Sequence, residues 1–214
     1  MNINIVAGAP ERYIPDLKEY GEGDFWIGVD RGVYTLLKQG ITPTVAFGDF
    51  DSVSEKEWDE IIEKVGEVNR VQPEKDETDL ELALNWAVGQ KPKTITIFGA
   101  TGGRLDHFMG NLQLLMKNEL METDIAVEII DVQNRLYLAK PGEHTIYESA
   151  RLKYISFVPV TGTVEGITLK GFKYPLKNRN ISRGSTLCIS NELIQSSGTF
   201  SFSDGILMVI RSSD

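Results

Sequence analysis

Short apolar runs alternate with segments of helical periodicity over the first part of the chain. Runs such as Phe25–Val29 and Thr94–Phe98 are typical of buried strands. Between the runs, apolar residues recur at helical spacing, and Ser54 and Glu57 have the spacing of a capping box at a helix start. Strands alternating with helices favour a mainly parallel sheet covered by helices. This pattern therefore predicts an α/β domain whose ligands bind at the carboxyl ends of the strands.

The pattern changes near Pro141 and Gly142, after which no long helical pattern follows. Residues 154–158, 187–190 and 206–210 are short β-branched or aromatic runs separated by turn signals. Asp204-Gly205 lies between Phe200/Phe202 and the run starting at Ile206, and it predicts a hairpin there. We therefore expect a mainly parallel α/β domain at residues 1–138, followed by an antiparallel β-sandwich domain at residues 139–214. The second domain is small enough to need a partner surface.

Composition excludes several classes of function. The chain has 214 residues and a net charge of -9, which argues against nonspecific binding to nucleic acid. No apolar run approaches the length of a membrane span, and the first residues lack the features of a signal peptide. The one cysteine, Cys188, fits a reducing compartment. We expect a cytoplasmic protein that binds neither nucleic acid nor membrane.

The sequence GDFDS, residues 48–52, places two carboxylates directly after an apolar strand at residues 45–47. In an extended backbone, residues two apart point to the same side, so Asp49 and Asp51 would aim at one point. Two converging carboxylates suit Mg²⁺, which prefers a few carboxylates together with waters and substrate phosphates. The alternative is a solvated acidic turn in which Asp serves the loop conformation.

A second acidic cluster, at residues 75–79, follows a predicted strand at residues 67–71. If Thr78 caps the next helix, Asp79 occupies its first position, where an acid is favoured by the helix dipole. The second interpretation is a metal site, because a parallel sheet would bring Asp76 and Asp79 near Asp49 and Asp51. Several carboxylates in one crevice are difficult to explain without a cation.

A glycine-rich segment, residues 99–107, joins a strand to a helix. Gly102 and Gly103 would let backbone N–H groups approach a phosphate, and Arg104 can donate two parallel hydrogen bonds to phosphoryl oxygens. The segment is not a Walker A loop, since no Gly-Lys-Ser/Thr follows. His107 is a candidate base or a residue that hydrogen-bonds only locally.

Asp30-Arg31-Gly32, at the end of the second predicted strand, is a further candidate for nucleotide binding. Asp30 could bind a ribose or the waters of a metal, and Arg31 a phosphate. The alternative is a strand-to-helix turn with an acid at the helix start.

Taken together, GDFDS, DETD at residues 76–79 and GATGGRLDH at residues 99–107 resemble the thiamin pyrophosphokinases of bacterial type. Ser190-Asn191-Glu192 resembles a Ser-Asn element of the same family. The resemblance implies transfer of a pyrophosphoryl group from ATP to the hydroxyl of thiamin, giving thiamin diphosphate and AMP. It also implies a homodimer whose thiamin pocket is shared between the α/β domain of one subunit and the sandwich of the other.

The resemblance also implies roles for individual residues. Asp49, Asp51 and Asp79 would hold Mg²⁺, with Asp76 as a further candidate ligand. Arg104 would steady the phosphates, and Asp106 or Asp79 would accept the hydroxyl proton. Thiamin would contact three residues: Asp79, Ser190 and Asn191. ATP would be held by residues of the two strand-end segments: Asp30, Arg31, Gly32, Gly102, Gly103, Arg104 and His107.

Two other functions fit parts of the pattern. An aspartyl-phosphate phosphatase also carries Asp-x-Asp after a strand, although that class places it after the first strand and here it follows the third. A regulatory module that binds nucleotide without turnover is the second alternative. A phosphorylated Asp49 would favour the first alternative, and ATP binding without turnover the second.

Overall fold

The computed structural model describes residues 1–21, 25–51, 53–70 and 76–214. The chain forms two compact units, Met1–Val132 and Gln133–Asp214. The domain boundary expected after residue 138 falls inside a strand of the second unit, Asn134–Ala139. Three residues of the predicted motifs and strands, Ser52, Val71 and Lys75, lie outside the described residues.

The first unit is built on a parallel sheet with strand order β6-β5-β1-β2-β3-β4. Its strands are β1 (Asn2–Val6), β2 (Phe25–Val29), β3 (Val45–Gly48), β4 (Glu67–Arg70), β5 (Thr94–Phe98) and β6 (Ala126–Ile130). Its helices are α1 (Arg31–Lys38), α2 (Glu55–Lys64), α3 (Asp79–Gly89), α4 (Leu105–Leu115) and α5 (Asn118–Met121), and two 3-10 helices cover Glu11–Tyr13 and Leu17–Tyr20. The predicted α/β fold is confirmed.

Local capping fixes where the helices begin. Before α2, the amide of Glu57 donates to the Ser54 hydroxyl, while the Glu57 carboxylate accepts from the Ser54 amide at 2.7 Å, so the predicted capping box is present. Before α3, Thr78 accepts from the amide of Glu81. These caps fix the first turns of α2 and α3, which follow β3 and β4 in the chain.

The second unit consists of two antiparallel sheets. One has the order β12-β9-β14-β7 and the other β11-β10-β13-β8. The strands are β7 (Asn134–Ala139), β8 (Gly142–Tyr147), β9 (Tyr154–Pro159), β10 (Thr163–Lys170), β11 (Leu176–Ser182), β12 (Asn191–Glu192), β13 (Ser197–Phe202) and β14 (Leu207–Ser212). Side chains from both sheets form one core, in which Phe157 packs against Phe172 and Phe200. The predicted sandwich is confirmed.

The hairpin predicted at Asp204-Gly205 is wrong, because the strands on either side of it belong to different sheets. β13 pairs with β8 and β10, whereas β14 pairs with β7 and β9. The turn instead packs against β10: the Asp204 carbonyl accepts from the Glu165 amide, and a Cβ on Gly205 would lie 2.4 Å from the carbonyl oxygen of Thr163. The Asp-Gly turn carries the chain from one sheet to the other.

The strand predicted at residues 187–190 is also wrong, because this segment forms turns and bends. Leu187 and Ile189 are exposed while Cys188 is buried, and Ser190 has a positive φ of 55°. The side chains alternate between exposed and buried as they do in a strand. The backbone nevertheless turns just beyond Cys188, whose carbonyl accepts a hydrogen bond from the amide of Phe157.

Within the described residues, no helix is both long and apolar enough to span a membrane.

Candidate active site

A cleft of about 970 Å³ opens at the carboxyl edge of the parallel sheet. The loops that follow β1, β2 and β5 line it, together with the first turns of α3 and α4. Of the residues predicted from sequence to form the site, the cleft is lined by Asp30, Asp51, Asp79, Gly102, Gly103, Arg104, Asp106 and His107. The rule that ligands bind at strand carboxyl ends therefore predicts the position of this cleft.

The segment Asp49-Phe50-Asp51 is a turn and not the extended backbone on which the sequence argument depended. Phe50 has a φ of 61°, and its buried ring lies 4.9 Å from the ring of Trp58. One carboxylate oxygen of Asp49 accepts from the amide of Asp51 at 3.0 Å. Burial of Phe50 under α2 thus forces the turn, and the side chain of Asp51, not that of Asp49, lines the cleft.

Asp30 lies below this turn in an unusual environment. It has a φ of 48° and a ψ of -124°, which non-glycine residues rarely adopt. Its Oδ1 is buried without a hydrogen-bond partner in the described part of the chain. A Cβ on Gly48 would lie 2.1 Å from this oxygen, so the glycine of GDFDS makes room for Asp30.

The carboxylates of the cleft act on Asp30 electrostatically. Burial is the largest cause that raises the pKa of Asp30, to about 7, and the negative charges of Asp79, Asp49 and Asp51 add to it. A hydrogen bond from the backbone of Phe50 acts in the opposite direction. The parallel sheet therefore brings the acids of three strand ends into one electrostatic cluster.

Asp79 and Asp76 have different surroundings, although both belong to the second acidic segment. Asp79 is the first residue of α3, as predicted, and its half-buried side chain lines the cleft. Asp76 is exposed and lies outside both the cleft lining and the groups that act on Asp30. Asp79 therefore shares the cleft with Asp51, whereas Asp76 lies at the surface.

Arg104 and Asp106 form a bidentate ion pair at the start of α4. Arg104 Nε donates to Asp106 Oδ1 at 3.1 Å, and its Nη2 donates to Oδ2 at 2.6 Å. Both side chains are exposed, and the amide of His107 donates to Asp106 as well. The hydrogen bond from Arg104 is the main cause that lowers the pKa of Asp106, to about 2. In this arrangement Asp106 is a weak proton acceptor, and the guanidinium of Arg104 already holds a planar oxyanion.

Arg31 and Gly32 both make packing or ionic contacts inside the first unit. Arg31 forms an ion pair with Glu57, and neither residue 31 nor residue 32 lines the cleft. A Cβ on Gly32 would lie 1.9 Å from the carbonyl oxygen of Val6. The absence of a side chain at Gly32 therefore allows α1 to approach β1, and the nucleotide-binding role expected of both residues stays a prediction.

In the second unit, Asn191 is buried and its side chain makes three hydrogen bonds to the backbone. Its Oδ1 accepts from the amides of Tyr174 and Glu192 at 3.0 and 2.9 Å, and its Nδ2 donates to the carbonyl of Tyr174 at 2.9 Å. Ser190 is exposed, and its amide donates to the hydroxyl of Ser156. Asn191 holds the chain at Tyr174, so of these two residues the Ser190 side chain is the better placed to meet a ligand.

Sequence reasoning missed several residues of the cleft wall. Gly8, Ala9 and Pro10 follow β1 and line the cleft, and the rule for strand ends predicts this from the position of β1 alone. Lys117 also lines it, and its Nζ lies 2.6 Å from the Glu81 carboxylate on α3. That pair joins residues far apart in sequence, so no local pattern signals it.

Oxygen ligands for a divalent cation are available in the cleft, although they are not gathered into a closed cage. Among the described residues, no three His, Cys, Asp or Glu side chains are close enough to share an ion. Asp30 nevertheless has a buried oxygen that finds no hydrogen-bond partner among the described residues, and the charges of three other carboxylates act on it. Mg²⁺ usually takes one or two carboxylates and completes its shell with waters and phosphates, so this donor set fits it.

Comparisons with known proteins agree with the geometry. A family model described as "Thiamin pyrophosphokinase, catalytic domain" matches residues 18–129, and one described as "Thiamin pyrophosphokinase, vitamin B1 binding domain" matches residues 143–207. "Thiamine pyrophosphokinase" of Bacillus subtilis is 54% identical over 213 residues, which is 99% of each chain.

Solved structures extend this similarity to the whole fold. The crystal structure of the thiamine pyrophosphokinase from Bacillus subtilis superimposes with a TM-score of 0.95 at 52% identity, covering 100% of both chains. The structure of the thiamin pyrophosphokinase from Geobacillus thermodenitrificans gives 0.90 at 53% identity, covering 100% of this chain and 98% of that one. The resemblance inferred from the motifs is confirmed, and the chain belongs to the thiamin pyrophosphokinase family.

Proposed function

We propose that this chain transfers the pyrophosphoryl group of ATP to the hydroxyl of thiamin, giving thiamin diphosphate and AMP. Family membership supports this activity, and one observation in the structure carries it. Asp30, Asp51 and Asp79 line the same cleft as Arg104, at the carboxyl edge of a parallel sheet. Acids that can hold a cation, beside an arginine that can hold an oxyanion, form a site suited to a polyphosphate.

We propose that Asp49, Asp51 and Asp79 hold Mg²⁺ beside the phosphates. The ion would supply positive charge to phosphoryl oxygens during transfer. Asp30 would act beside these ligands, because its unpartnered oxygen and raised pKa both reflect a local excess of negative charge. Asp76 is the weakest of the predicted ligands, since it lies outside the cleft lining and, unlike Asp49, is not among the charges that act on Asp30.

Arg104 would bind the phosphates by exchanging one oxyanion for another. Its guanidinium now binds the two oxygens of Asp106, and a phosphoryl group offers the same pair of acceptors. Loss of that pair would remove the main cause of the low pKa of Asp106 and make this carboxylate a stronger base. Arrival of ATP would thereby prepare Asp106 to accept the thiamin hydroxyl proton, with Asp79 as the second candidate.

We further propose a homodimer in which Ser190 of one copy contacts the thiamin held at the cleft of the other. The exposed side chain of Ser190 supports this role, whereas the amide of Asn191 is occupied inside its own unit. A cytoplasmic location also stays a prediction, supported by the single unpaired cysteine.

One assay tests the reaction. The full chain is incubated with ATP, Mg²⁺ and thiamin, and the nucleotide products are separated. Release of AMP in equal amount with thiamin diphosphate is the expected result, because the transferred group carries two phosphoryl units. Release of ADP would contradict the proposal, and so would release of phosphate in a reaction from which thiamin is omitted. Phosphorylation of Asp49 would favour the phosphatase, and ATP binding without any product would favour the regulatory module.

A further inference from the structure

The loop between β5 and α4 has unusual backbone freedom. Gly99, Gly102 and Gly103 have φ values of 66°, 72° and 155°, which lie in the region that favours glycine. Glycine loses more conformational entropy on ordering than any other residue, so such a loop keeps one shape only if contacts fix it. Arg104 comes directly after this loop, as the N-cap residue of α4.

Three contacts hold the first half of the loop and the face of Gly102. The Gly99 carbonyl accepts from the amide of Ala9 at 3.1 Å, and the Ala100 carbonyl accepts from Asn111 Nδ2 at 2.9 Å. The ring of Tyr13 packs so closely on Gly102 that a Cβ there would lie 2.2 Å from it. These contacts hold the backbone of the loop. Thr101 is the one residue with a side chain between Ala100 and Arg104, and that side chain makes a further contact.

Thr101 makes a short hydrogen bond to a buried carboxylate. Its hydroxyl donates to Asp131 Oδ2 at 2.6 Å, and Asp131, which directly follows β6, is only 7% exposed. Hydrogen bonds to an ionised group are about twice as strong as neutral ones. This bond therefore joins the glycine-rich loop to the end of β6, thirty residues away in the chain.

We propose that the hydrogen bond from Thr101 to Asp131 positions Arg104 for the phosphates of ATP, which makes Thr101 a positioning residue. The inference rests on the phosphate-binding role of Arg104 in the proposed function. Only Gly102 and Gly103 separate the two residues; the ring of Tyr13 packs on Gly102, whereas a Cβ on Gly103 would lie no closer than 3.9 Å to its nearest neighbour, Pro10. Without the Thr101 hydroxyl, the loop can move at these glycines and carry the guanidinium out of reach. A displacement of about 1 Å can cost a factor on the order of 100 in rate.

A double-mutant cycle with ATP binding as its readout tests this role. The dissociation constant of ATP is measured by calorimetry on the full chain with Mg²⁺ and without thiamin, so that no pyrophosphoryl transfer to thiamin occurs. Thr101→Val keeps the shape of the side chain and removes the donor, whereas Thr101→Ser keeps the donor and is the matched control. Both are measured with Arg104 intact and in an Arg104→Ala background. Thr101→Ala replaces Thr101→Val if the valine variant fails to fold.

The expected result is a loss of affinity that exists only when Arg104 is present. Thr101→Val should weaken ATP binding about tenfold and Thr101→Ser less than about threefold, because only the first breaks the hydrogen bond. In the Arg104→Ala background, Thr101→Val should change affinity less than about twofold, since coupled residues are not additive. Unchanged affinity in Thr101→Val, or an equal loss in both backgrounds, would overturn the inference.

The same measurements separate this inference from the proposed function. A wild-type chain that binds ATP but releases no AMP with thiamin overturns the proposed reaction, and the cycle still decides the role of Thr101. A wild-type chain that binds no ATP overturns both.

Discussion

Asp30 is the residue at which burial and charge conflict most strongly in the cleft. Its carboxylate is removed from water, one oxygen has no partner among the described residues, and three other carboxylates act on it. Such a residue is tolerated where a ligand offsets the unfavourable charge, and perturbed pKa values of this kind cluster at functional sites. At the residue scale, the acids around Asp30 are therefore the first to test.

Asp49→Asn and Asp51→Asn should each lower kcat by about 100-fold or more while leaving the fold intact. Each change removes a charge proposed to hold Mg²⁺, and misplaced phosphates are costly. The asparagine at position 49 can still accept from the amide of residue 51, so the turn should persist. Kinetics and melting curves check this, with Asp59→Asn on the exposed face of α2 as the control. A folded double variant with normal activity would exclude a metal site at this turn.

Asn191→Ala should destabilise the chain rather than weaken thiamin binding directly. The buried amide serves two backbone donors and one carbonyl, and leaving such groups unsatisfied costs about 2 kcal/mol. Urea denaturation measures the loss, and Gln195→Ala, which truncates an exposed amide in the same unit, should change stability by less than about 0.5 kcal/mol. Normal stability with a raised KM for thiamin would instead support the role that the sequence pattern predicted.

At the scale of elements, the approach of α1 to β1 depends on the absence of a side chain. Gly32 is buried at the start of α1, where any Cβ would meet the backbone of Val6. Because α1 begins at Arg31, directly after Asp30, a shift of this helix would also move Asp30 relative to the turn at Gly48. The packing of α1 on β1 therefore affects the position of Asp30 among the carboxylates of the cleft.

Gly32→Ala should lower the free energy of unfolding by about 2 kcal/mol, because the added methyl group overpacks the contact with Val6. Gly110→Ala is the matched comparison, since Gly110 lies inside α4 and its Cβ would meet nothing within 4 Å. That change should raise the same free energy by roughly 0.5 to 1 kcal/mol through helix propensity. Chemical denaturation of both variants measures these changes in the free energy of unfolding. A Gly32→Ala chain that is as stable as the wild type but inactive would instead support a role for Gly32 in ligand binding.

At the scale of the whole molecule, the proposed homodimer makes a prediction about mixed subunits. Asp51→Asn should inactivate the cleft of its own chain, and Ser190→Trp should block the thiamin contact that its chain offers to the partner. In a mixed dimer, one site then carries both changes and the other carries neither. Random pairing makes about half the dimers mixed, so roughly a quarter of all sites should recover.

Activity of the mixture is measured after subunit exchange, and native mass spectrometry confirms that exchange has occurred. The unmixed variants, treated in the same way, are the controls and should stay inactive. Complete exchange without recovery would mean that each site is built from one chain. That result would leave the roles of Asp51 and Arg104 standing, since both line the cleft of the same unit.

The sequence by itself determined the features that depend on neighbours along the chain. Periodicity predicted the parallel α/β sheet, the capping-box spacing at Ser54 predicted the start of α2, and Thr78 placed Asp79 first in α3. The position of the acidic and glycine-rich segments at strand ends followed from the same reasoning. The order of the motifs then identified the family, because each motif is a local string of residues.

Tertiary structure decided what depends on residues distant in the chain. Burial of Phe50 against Trp58 turned the backbone between Asp49 and Asp51, which the local pattern predicted as extended. Contacts with β10 made Asp204-Gly205 a crossing between sheets, although its composition is that of a hairpin. The contacts of the buried Asn191 amide with Tyr174 also appear only in the folded chain, and its expected role toward thiamin stays a prediction. At the turn of Phe50 and at Asp204-Gly205, a local preference of about 1 kcal/mol was overridden by packing or hydrogen bonds formed only when the chain is folded.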